Sequence, residues 1–136
     1  MTRGIALRYL LGLWLIAVAI LSTIILIQSV LGKYGDESKE AWAWLASIAV
    51  PPLSLVLTAA LTESSIGWHD GPADKFKFRL AFIFGTICIL AALTTILIEP
   101  FVKLSYFELF EHTSLELALW QGLSVAAIGG VVFEGR

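Results

Sequence analysis

The sequence has no asparagine, one cysteine and one methionine, and only 15% of its 136 residues are charged. Without asparagine there is no acceptor for N-linked glycosylation. Cys88 cannot form a disulfide within the chain, and its place in an apolar segment is typical of a small buried side chain. Neither the missing asparagine nor the single cysteine identifies the compartment of the protein.

Positive charge is also scarce. The sequence contains nine Lys and Arg residues and eleven Asp and Glu residues, which gives a formal net charge of −2. No cluster of basic side chains resembles the polybasic arms that bind anionic lipids or nucleic acids. The sequence therefore argues against nucleic acid as a partner.

Apolar residues are abundant instead and make up 58% of the chain. They form four long segments, at about residues 9–31, 41–62, 78–98 and 115–133. About twenty apolar residues in a helix cross a hydrocarbon core of about 30 Å. We therefore predict an all-α, polytopic membrane protein whose outer surface contacts membrane lipid. Its fold would be a four-helix antiparallel transmembrane bundle, a single four-span domain over residues 1–136.

The distribution of Lys and Arg predicts the orientation of these spans. Six of the nine basic residues lie at the two termini or in and next to the connector at residues 63–77, and three lie in the other two connections. Because basic residues mark the cytoplasmic side, we expect cytoplasmic termini and a cytoplasmic connector. We expect the membrane to be a bacterial inner membrane. Arg3 and Arg8 precede the first segment as in a signal peptide, but the length of the segment favours an uncleaved anchor.

The segment at residues 101–113 is apolar but interrupted by charges, so it is a poor candidate for a span. In a helix its apolar side chains would share one face: Val102, Tyr106, Leu109 and Phe110. Its polar side chains would share the other: Ser105, Glu108, Glu111 and His112. This pattern predicts a short interfacial helix before the last span.

The second span opens with Trp42 and Trp44, whose rings suit the level of the lipid headgroups, and has Pro51 and Pro52 at its centre. Proline lacks a backbone N–H, so carbonyl groups one turn earlier, near Ser47, lose their helical donors. We expect a helix kink at the two prolines, with a serine or a neighbouring helix satisfying those carbonyls. A static kink is the simplest interpretation, and a hinge, gate or ion site is the alternative.

The most specific pattern in the sequence is a small residue at every fourth position of the fourth span. This small-residue stripe comprises Ala118, Gly122, Ala126 and Gly130, with the polar Gln121 at its edge. Small residues let membrane helices approach closely, and Gln121 requires a hydrogen-bond partner. We predict that these five residues form an oligomer interface between identical chains. Packing inside one chain is equally compatible, and a pore lined by Gln121, Ser124 and the threonines of the other spans is a third possibility.

Three carboxylates lie near the ends of the predicted spans, where acid–base or proton-transfer chemistry would be sought. They are Glu63, Glu99 and Glu116. In the predicted topology Glu63 and Glu99 are separated by about 30 Å and cannot act as a pair. We interpret all three as solvated at the interface, with Glu116 within reach of Lys103 or His112.

No motif for catalysis, cofactor binding or a metal centre occurs in the sequence. It contains no Gly-rich phosphate loop, nucleophile elbow or His-Glu-x-x-His motif. His69, Asp70 and Asp74 could together ligate a metal, but their spacing fits none of the usual frameworks and a solvated loop is the simpler interpretation. We therefore predict no enzymatic activity, no cofactor and no metal.

The function expected from these features is a noncatalytic membrane subunit that self-associates and docks a partner protein through its connector. The connector offers an aromatic anchor among charged residues: Trp68, His69, Asp70, Lys75 and Lys77. Buried tryptophans are common anchors of protein interfaces, although Trp68 could equally lie among lipid headgroups. The alternative is a small-solute channel or transporter formed by an oligomer of the bundle.

Overall fold

A computed structural model of the chain describes residues 2–66, 73–101 and 103–133. Within these ranges it contains four long helices and no β-strand. The helices are α1 (Arg3–Val30), α2 (Ser38–Ile66), α3 (Lys75–Ile98) and α4 (Tyr106–Val132). Short 3-10 turns lie at Gly35–Glu37 and Glu99–Phe101. The all-α prediction is confirmed, and the helices correspond to the four apolar segments.

All four helices are long and apolar enough to cross a membrane. They contain between 24 and 29 residues. At about 1.5 Å per residue even the shortest extends beyond a hydrocarbon core of about 30 Å. Only 28% to 33% of the most apolar window of each helix is buried inside the protein. Most of the apolar surface therefore faces outward.

The turn after α1 is set by two glycines. Gly32 has a φ of +71°, which glycine adopts without steric cost. The N–H of Gly32 donates to the Ser29 carbonyl and the N–H of Lys33 to the Gln28 carbonyl, both at 3.0 Å. These bonds form a Schellman motif, which satisfies the last carbonyls of α1. Gly35, with a φ of +53°, then begins the 3-10 turn that leads into α2.

Asp74 is the N-cap of α3, and its Oδ1 accepts a hydrogen bond from the Phe76 N–H at 2.8 Å. The carboxylate of Asp74 supplies an acceptor for a backbone N–H of the first turn, and its charge suits the helix dipole. Gly71 and Pro72 lie outside the described residues.

A capping box starts α4. Ser105 Oγ accepts from the Glu108 N–H at 3.3 Å, and the Ser105 N–H donates to Glu108 Oε2 at 2.9 Å. The box satisfies backbone donors that a helix N-terminus otherwise leaves without partners. It therefore fixes Tyr106 as the first residue of the helix.

The predicted interfacial helix at residues 101–113 is not a separate element, because α4 continues unbroken from Tyr106 to Val132. No proline or glycine occurs before Gly122 to interrupt it. The amphipathic pattern itself is confirmed for the described residues. The apolar side chains of the first turns are buried: Tyr106, Leu109 and Phe110. The polar ones are exposed: Ser105, Glu108, Glu111 and His112.

The helices pack so that α1 and α4 each contact both α2 and α3. The core between them is apolar and draws side chains from every helix. Among the largest fully buried side chains are Trp14, Leu10, Val56, Ile96, Leu117 and Ile128. Cys88 is also buried and free, as the sequence indicates. Trp14 is the largest fully buried side chain among the described residues.

Gly85 brings the backbone of α3 close to α1 and α4. A Cβ added at Gly85 would lie 3.5 Å from Trp14 Nε1, 3.5 Å from Leu13 Cδ2 and 3.6 Å from Ser124 Oγ. These are ordinary van der Waals distances, so one methyl group fits and a longer side chain does not. Trp14 Nε1 and Ser124 Oγ, two of the three atoms that this Cβ would meet, are both buried without hydrogen-bond partners.

The effect of a substitution at Gly85 on stability should therefore depend steeply on the size of the new side chain. Gly85→Ala should change the free energy of unfolding by no more than about 1 kcal/mol, because alanine fits and favours a helix. Gly85→Leu should destabilise by about 1–3 kcal/mol through overpacking. Unfolding in detergent, followed by circular dichroism, would measure both. Gly12→Leu is the control, since a Cβ there meets no atom within 4 Å; equal losses at the two positions would contradict the packing argument.

Candidate functional site

The small-residue stripe lies on the outward face of α4. Its first three residues are exposed and the fourth is half-buried: Ala118, Gly122, Ala126 and Gly130. A Cβ added at Gly122 would meet no atom within 4 Å. The buried residues of the same stretch share the opposite face: Leu117, Ser124, Ile128 and Val131. The stripe therefore takes no part in the packing of the described chain up to Ala126.

Gln121 faces α2 rather than the outward face. Its Nε2 donates a hydrogen bond to the Ser47 carbonyl at 2.7 Å, across 74 positions of sequence. The predicted need of Gln121 for a partner is thus met by a neighbouring helix of the same chain. This contact joins α2 and α4 by a polar bond between otherwise apolar surfaces.

Pro51 explains why the Ser47 carbonyl needs a donor from another helix. In an α-helix the N–H of residue 51 would donate to this carbonyl, and proline has no N–H. Gln121 supplies the missing bond. The prediction that a neighbouring helix satisfies a carbonyl freed by the prolines is confirmed here.

The helix does not open at the two prolines, because α2 is continuous from Ser38 to Ile66. The serines that the sequence offered as donors bond elsewhere. Ser47 Oγ donates to the Trp44 carbonyl at 2.7 Å, and Ser54 Oγ donates to the Pro51 carbonyl at 3.0 Å. Both are local bonds within one turn, so Gln121 is the side chain that crosses between helices at this level.

The predicted partner-binding residues are only partly described. Three of them lie outside the described part of the chain: Trp68, His69 and Asp70. Lys75 is exposed in the first turn of α3. Lys77 is half-buried, and its Cδ lies 3.8 Å from the position of a Cβ at Gly130. The aliphatic stem of Lys77 therefore covers the last position of the stripe.

A cavity of about 170 Å³ lies where the α1–α2 turn meets the start of α4. Three carboxylates line it, those of Glu37, Glu40 and Glu99, together with the ammonium group of Lys33. Glu37 and Glu40 are exposed and Glu99 is half-buried. Glu99, interpreted from the sequence as an isolated interfacial carboxylate, is therefore part of a charged cluster.

Aromatic rings form the other wall of this cavity, which Tyr34, Tyr106, Phe107 and Phe110 line. Tyr34 packs edge-on against Tyr106, with ring centroids 4.7 Å apart. Phe110 stacks on Trp44 at 4.5 Å and 16°. The ring of Trp44 is thus buried within this aromatic group.

The two tyrosine hydroxyls of the cavity differ in their partners. Tyr34 donates a hydrogen bond to Gln28 Oε1. Burial, with Tyr106 and Glu99 nearby, raises the pKa of Tyr34 well above its usual value, so this hydroxyl stays protonated and can donate. The Tyr106 hydroxyl is buried beside the Glu99 carboxylate without a hydrogen bond of normal geometry. It is a polar group without a partner at the edge of an acidic cavity.

Sequence reasoning missed this cavity, although one signal pointed to it. In a bundle whose helices alternate in direction, the connection after the first helix and the connection after the third lie at the same end. Tyr34 and Glu37 belong to the first connection, Glu99 and Tyr106 to the other. Considering each connection alone concealed the cluster that they form together.

The remaining predicted residues are placed as follows. Asp74 uses its carboxylate as a helix cap, while His69 and Asp70 lie outside the described ranges. Across the residues that the structure describes, no group of three His, Cys, Asp or Glu side chains is placed to hold a metal ion. Glu116 is exposed on α4. Searches against protein families, curated proteins and solved structures found no significant match to the chain.

The link between Pro51 and Gln121 can be tested by a double-mutant cycle. Gln121→Met should destabilise the protein by about 0.6 kcal/mol, the average for hydrogen bonds between membrane helices. In a Pro51→Ala background the cost should shrink, because the N–H of an alanine at position 51 can donate to the Ser47 carbonyl. Detergent unfolding measures all four forms.

Thr86→Val provides the control for this cycle. Thr86 donates only to the Phe82 carbonyl of its own helix, so its loss should not couple to Pro51→Ala. An equal cost of Gln121→Met in both backgrounds would show that the glutamine does not replace the missing proline N–H.

Proposed function

We propose that this chain is an integral membrane protein whose four helices cross the bilayer as an antiparallel bundle. Its outward surface supports this, because large apolar side chains are exposed on every helix, among them Ile16, Leu61, Ile83 and Leu119. In water such extensive apolar exposure would lead to association or aggregation. In lipid it carries no such cost, and the length of each helix suits a bilayer.

Within the membrane the protein acts as a noncatalytic subunit that self-associates. The observation that carries this proposal is the outward position of the small-residue stripe, with open space at Gly122. Apolar side chains gain little by leaving lipid for one another, so helix association there depends on close backbone packing. A flat strip of small residues between the exposed Leu115, Leu119 and Leu123 provides a surface for such packing.

The connector is the proposed docking site for a partner protein on the cytoplasmic side. Its anchor would be Trp68, with His69 and Asp70 beside it and Lys75 exposed at the start of α3. The Lys and Arg distribution supports placing this connector and both termini in the cytoplasm. The proposed location is a bacterial inner membrane. An aromatic residue with charged neighbours in sequence can be buried against a partner, while the charged side chains orient that partner.

The alternative, a channel or transporter made by an oligomer, has less support. The amide of Gln121, one of the predicted pore-lining groups, is already bonded to the Ser47 carbonyl of its own chain. Ser124, another of these groups, is buried in the core of a single chain and faces away from the stripe. An oligomer formed through the stripe would therefore bring together apolar and small residues rather than a polar pore.

Self-association through the stripe predicts a change of mass in a double variant. Gly122→Leu with Ala126→Leu should convert an oligomer in mild detergent to a monomer, because two leucines hold the helices apart. Light scattering after size-exclusion chromatography would measure the protein mass. The thermal melt should be unchanged, since neither side chain would enter the core of the chain.

The matched control is Ala43→Leu with Ala46→Leu, which enlarges two exposed small residues on α2. This control should keep the mass of the unmodified protein. If the stripe variant also keeps its mass, or if the unmodified protein is a monomer, self-association through α4 is wrong.

The proposed topology predicts where reporters become accessible. A reporter fused after Arg136 and another inserted at Gly71 should both report the cytoplasm. In a Cys88→Ala background, a cysteine placed at the exposed Gly35 should react with a membrane-impermeant thiol reagent from outside. Cytoplasmic protection of that cysteine, or a periplasmic signal from either reporter, would contradict the orientation and remove the basis for a cytoplasmic docking site.

A further inference from the structure

The cavity between the α1–α2 turn and the start of α4 has an excess of negative charge. It is lined by three acidic residues and by one basic residue, Lys33. Among the described residues, Glu37, Glu40 and Glu99 form no ion pair. Carboxylates without paired cations attract a cation, and Glu99, which is half-buried, attracts it more strongly than it would in open solvent.

The carboxylates of this cavity surround a space larger than a metal ion requires. No three acidic, histidine or cysteine side chains in the described ranges converge as metal ligands would. A metal ion needs oxygen atoms within about 2.0–2.6 Å of its centre. A volume of about 170 Å³ instead suits a molecule of several non-hydrogen atoms.

Aromatic rings define the chemistry of that molecule further. Tyr34 and Tyr106 meet edge to face at 4.7 Å and both line the cavity. Organic ammonium ions are attracted to the faces of such rings while carboxylates neutralise their charge. An anion would face three carboxylates, and a neutral apolar molecule would leave them unpaired.

The Tyr106 hydroxyl indicates an ammonium ion that carries N–H groups. Tyr106 is only 8% exposed, and its hydroxyl is buried beside the Glu99 carboxylate without a hydrogen bond of normal geometry. A buried polar group without a partner destabilises the structure that contains it. An ammonium group that draws Glu99 aside could donate an N–H to this hydroxyl, which satisfies both groups at once.

We infer that this cavity is a binding site for a small organic ammonium ion, held between Glu37, Glu40 and Glu99 and the rings of Tyr34 and Tyr106. The Tyr106 hydroxyl accepts one of the ligand N–H groups. The site lies at the end of the bundle away from the connector, so it does not depend on the proposed docking of a partner.

The test uses the purified full-length protein in detergent and isothermal titration calorimetry. The probes are butylammonium, tetramethylammonium, sodium and the neutral 1-butanol. Butylammonium should bind most tightly, tetramethylammonium more weakly because it has no N–H, and sodium and butanol not measurably. Absence of butylammonium binding in the millimolar range, or equal binding of butanol, would overturn the proposal.

Charge-removing variants locate the site. Glu99→Gln should weaken butylammonium binding by about ten-fold or more, as expected for loss of a charged hydrogen-bond partner. Glu40→Gln, at an exposed position that does not threaten folding, should weaken it as well. Glu111→Gln removes the same charge from an exposed position of α4 outside the cavity and should change it by less than about two-fold. Equal effects of Glu99→Gln and Glu111→Gln would indicate nonspecific attraction and overturn the assignment.

Tyr106→Phe tests the hydroxyl separately from the ring. The variant keeps the aromatic wall, so the affinity for tetramethylammonium should be unchanged. The affinity for butylammonium should fall several-fold, toward that for tetramethylammonium. Thermal melts of each variant show whether the fold is intact. A preference for butylammonium that is unchanged in Tyr106→Phe would overturn the proposed hydrogen bond.

Discussion

The hydrogen bond from Gln121 Nε2 to the Ser47 carbonyl holds α2 and α4 together at the level of the two prolines. A carbonyl without a donor in an apolar environment costs free energy comparable to a lost hydrogen bond. Pro51 creates that deficit in α2, and the only protein groups that can remove it are polar side chains within reach. The bond therefore permits proline in the middle of a long apolar helix that stays continuous.

The same bond constrains the rotation of α4 about its axis. With Gln121 turned toward α2, the 100° steps of a helix direct Ser124 and Ile128 into the core. Gly122 and Ala126 then face outward. The exposed stripe is thus a consequence of where the glutamine must point, and a rotation that buried the stripe would leave the Ser47 carbonyl without a donor.

The sequence was sufficient for the helices because their signals are local. Apolar length predicted four of them, and the capping box at Ser105 and Glu108 is visible as a Ser-x-x-Glu pattern. It was insufficient where two distant segments meet. A polar interruption at residues 101–113 resembled a separate interfacial helix, yet the helix passes through it because Tyr106 and Phe110 find aromatic partners contributed by Tyr34 and Trp44.

For the candidate site, even more depended on contacts between distant segments, which the sequence does not reveal. The small-residue stripe could be recognised from its four-residue spacing, but its direction required the position of Gln121 relative to α2. The acidic cavity was missed, because Glu37 and Glu99 are separated by more than sixty residues and each resembles an ordinary solvated carboxylate when its own connection is considered alone. Spatial proximity, rather than residue type, distinguishes these groups.

The stripe and the cavity lie in separate parts of α4. Tyr106 is at the first position of the helix and Gly122 is sixteen residues later, which corresponds to about 24 Å along the axis at 1.5 Å per residue. They also differ in direction, since Tyr106 and Phe110 are on the buried face and Gly122 is on the outward face. Association through the stripe would therefore neither cover the cavity nor require its side chains. A ligand in the cavity would influence the oligomer only by moving α4 as a whole, and the bond between Gln121 and Ser47 opposes such a movement.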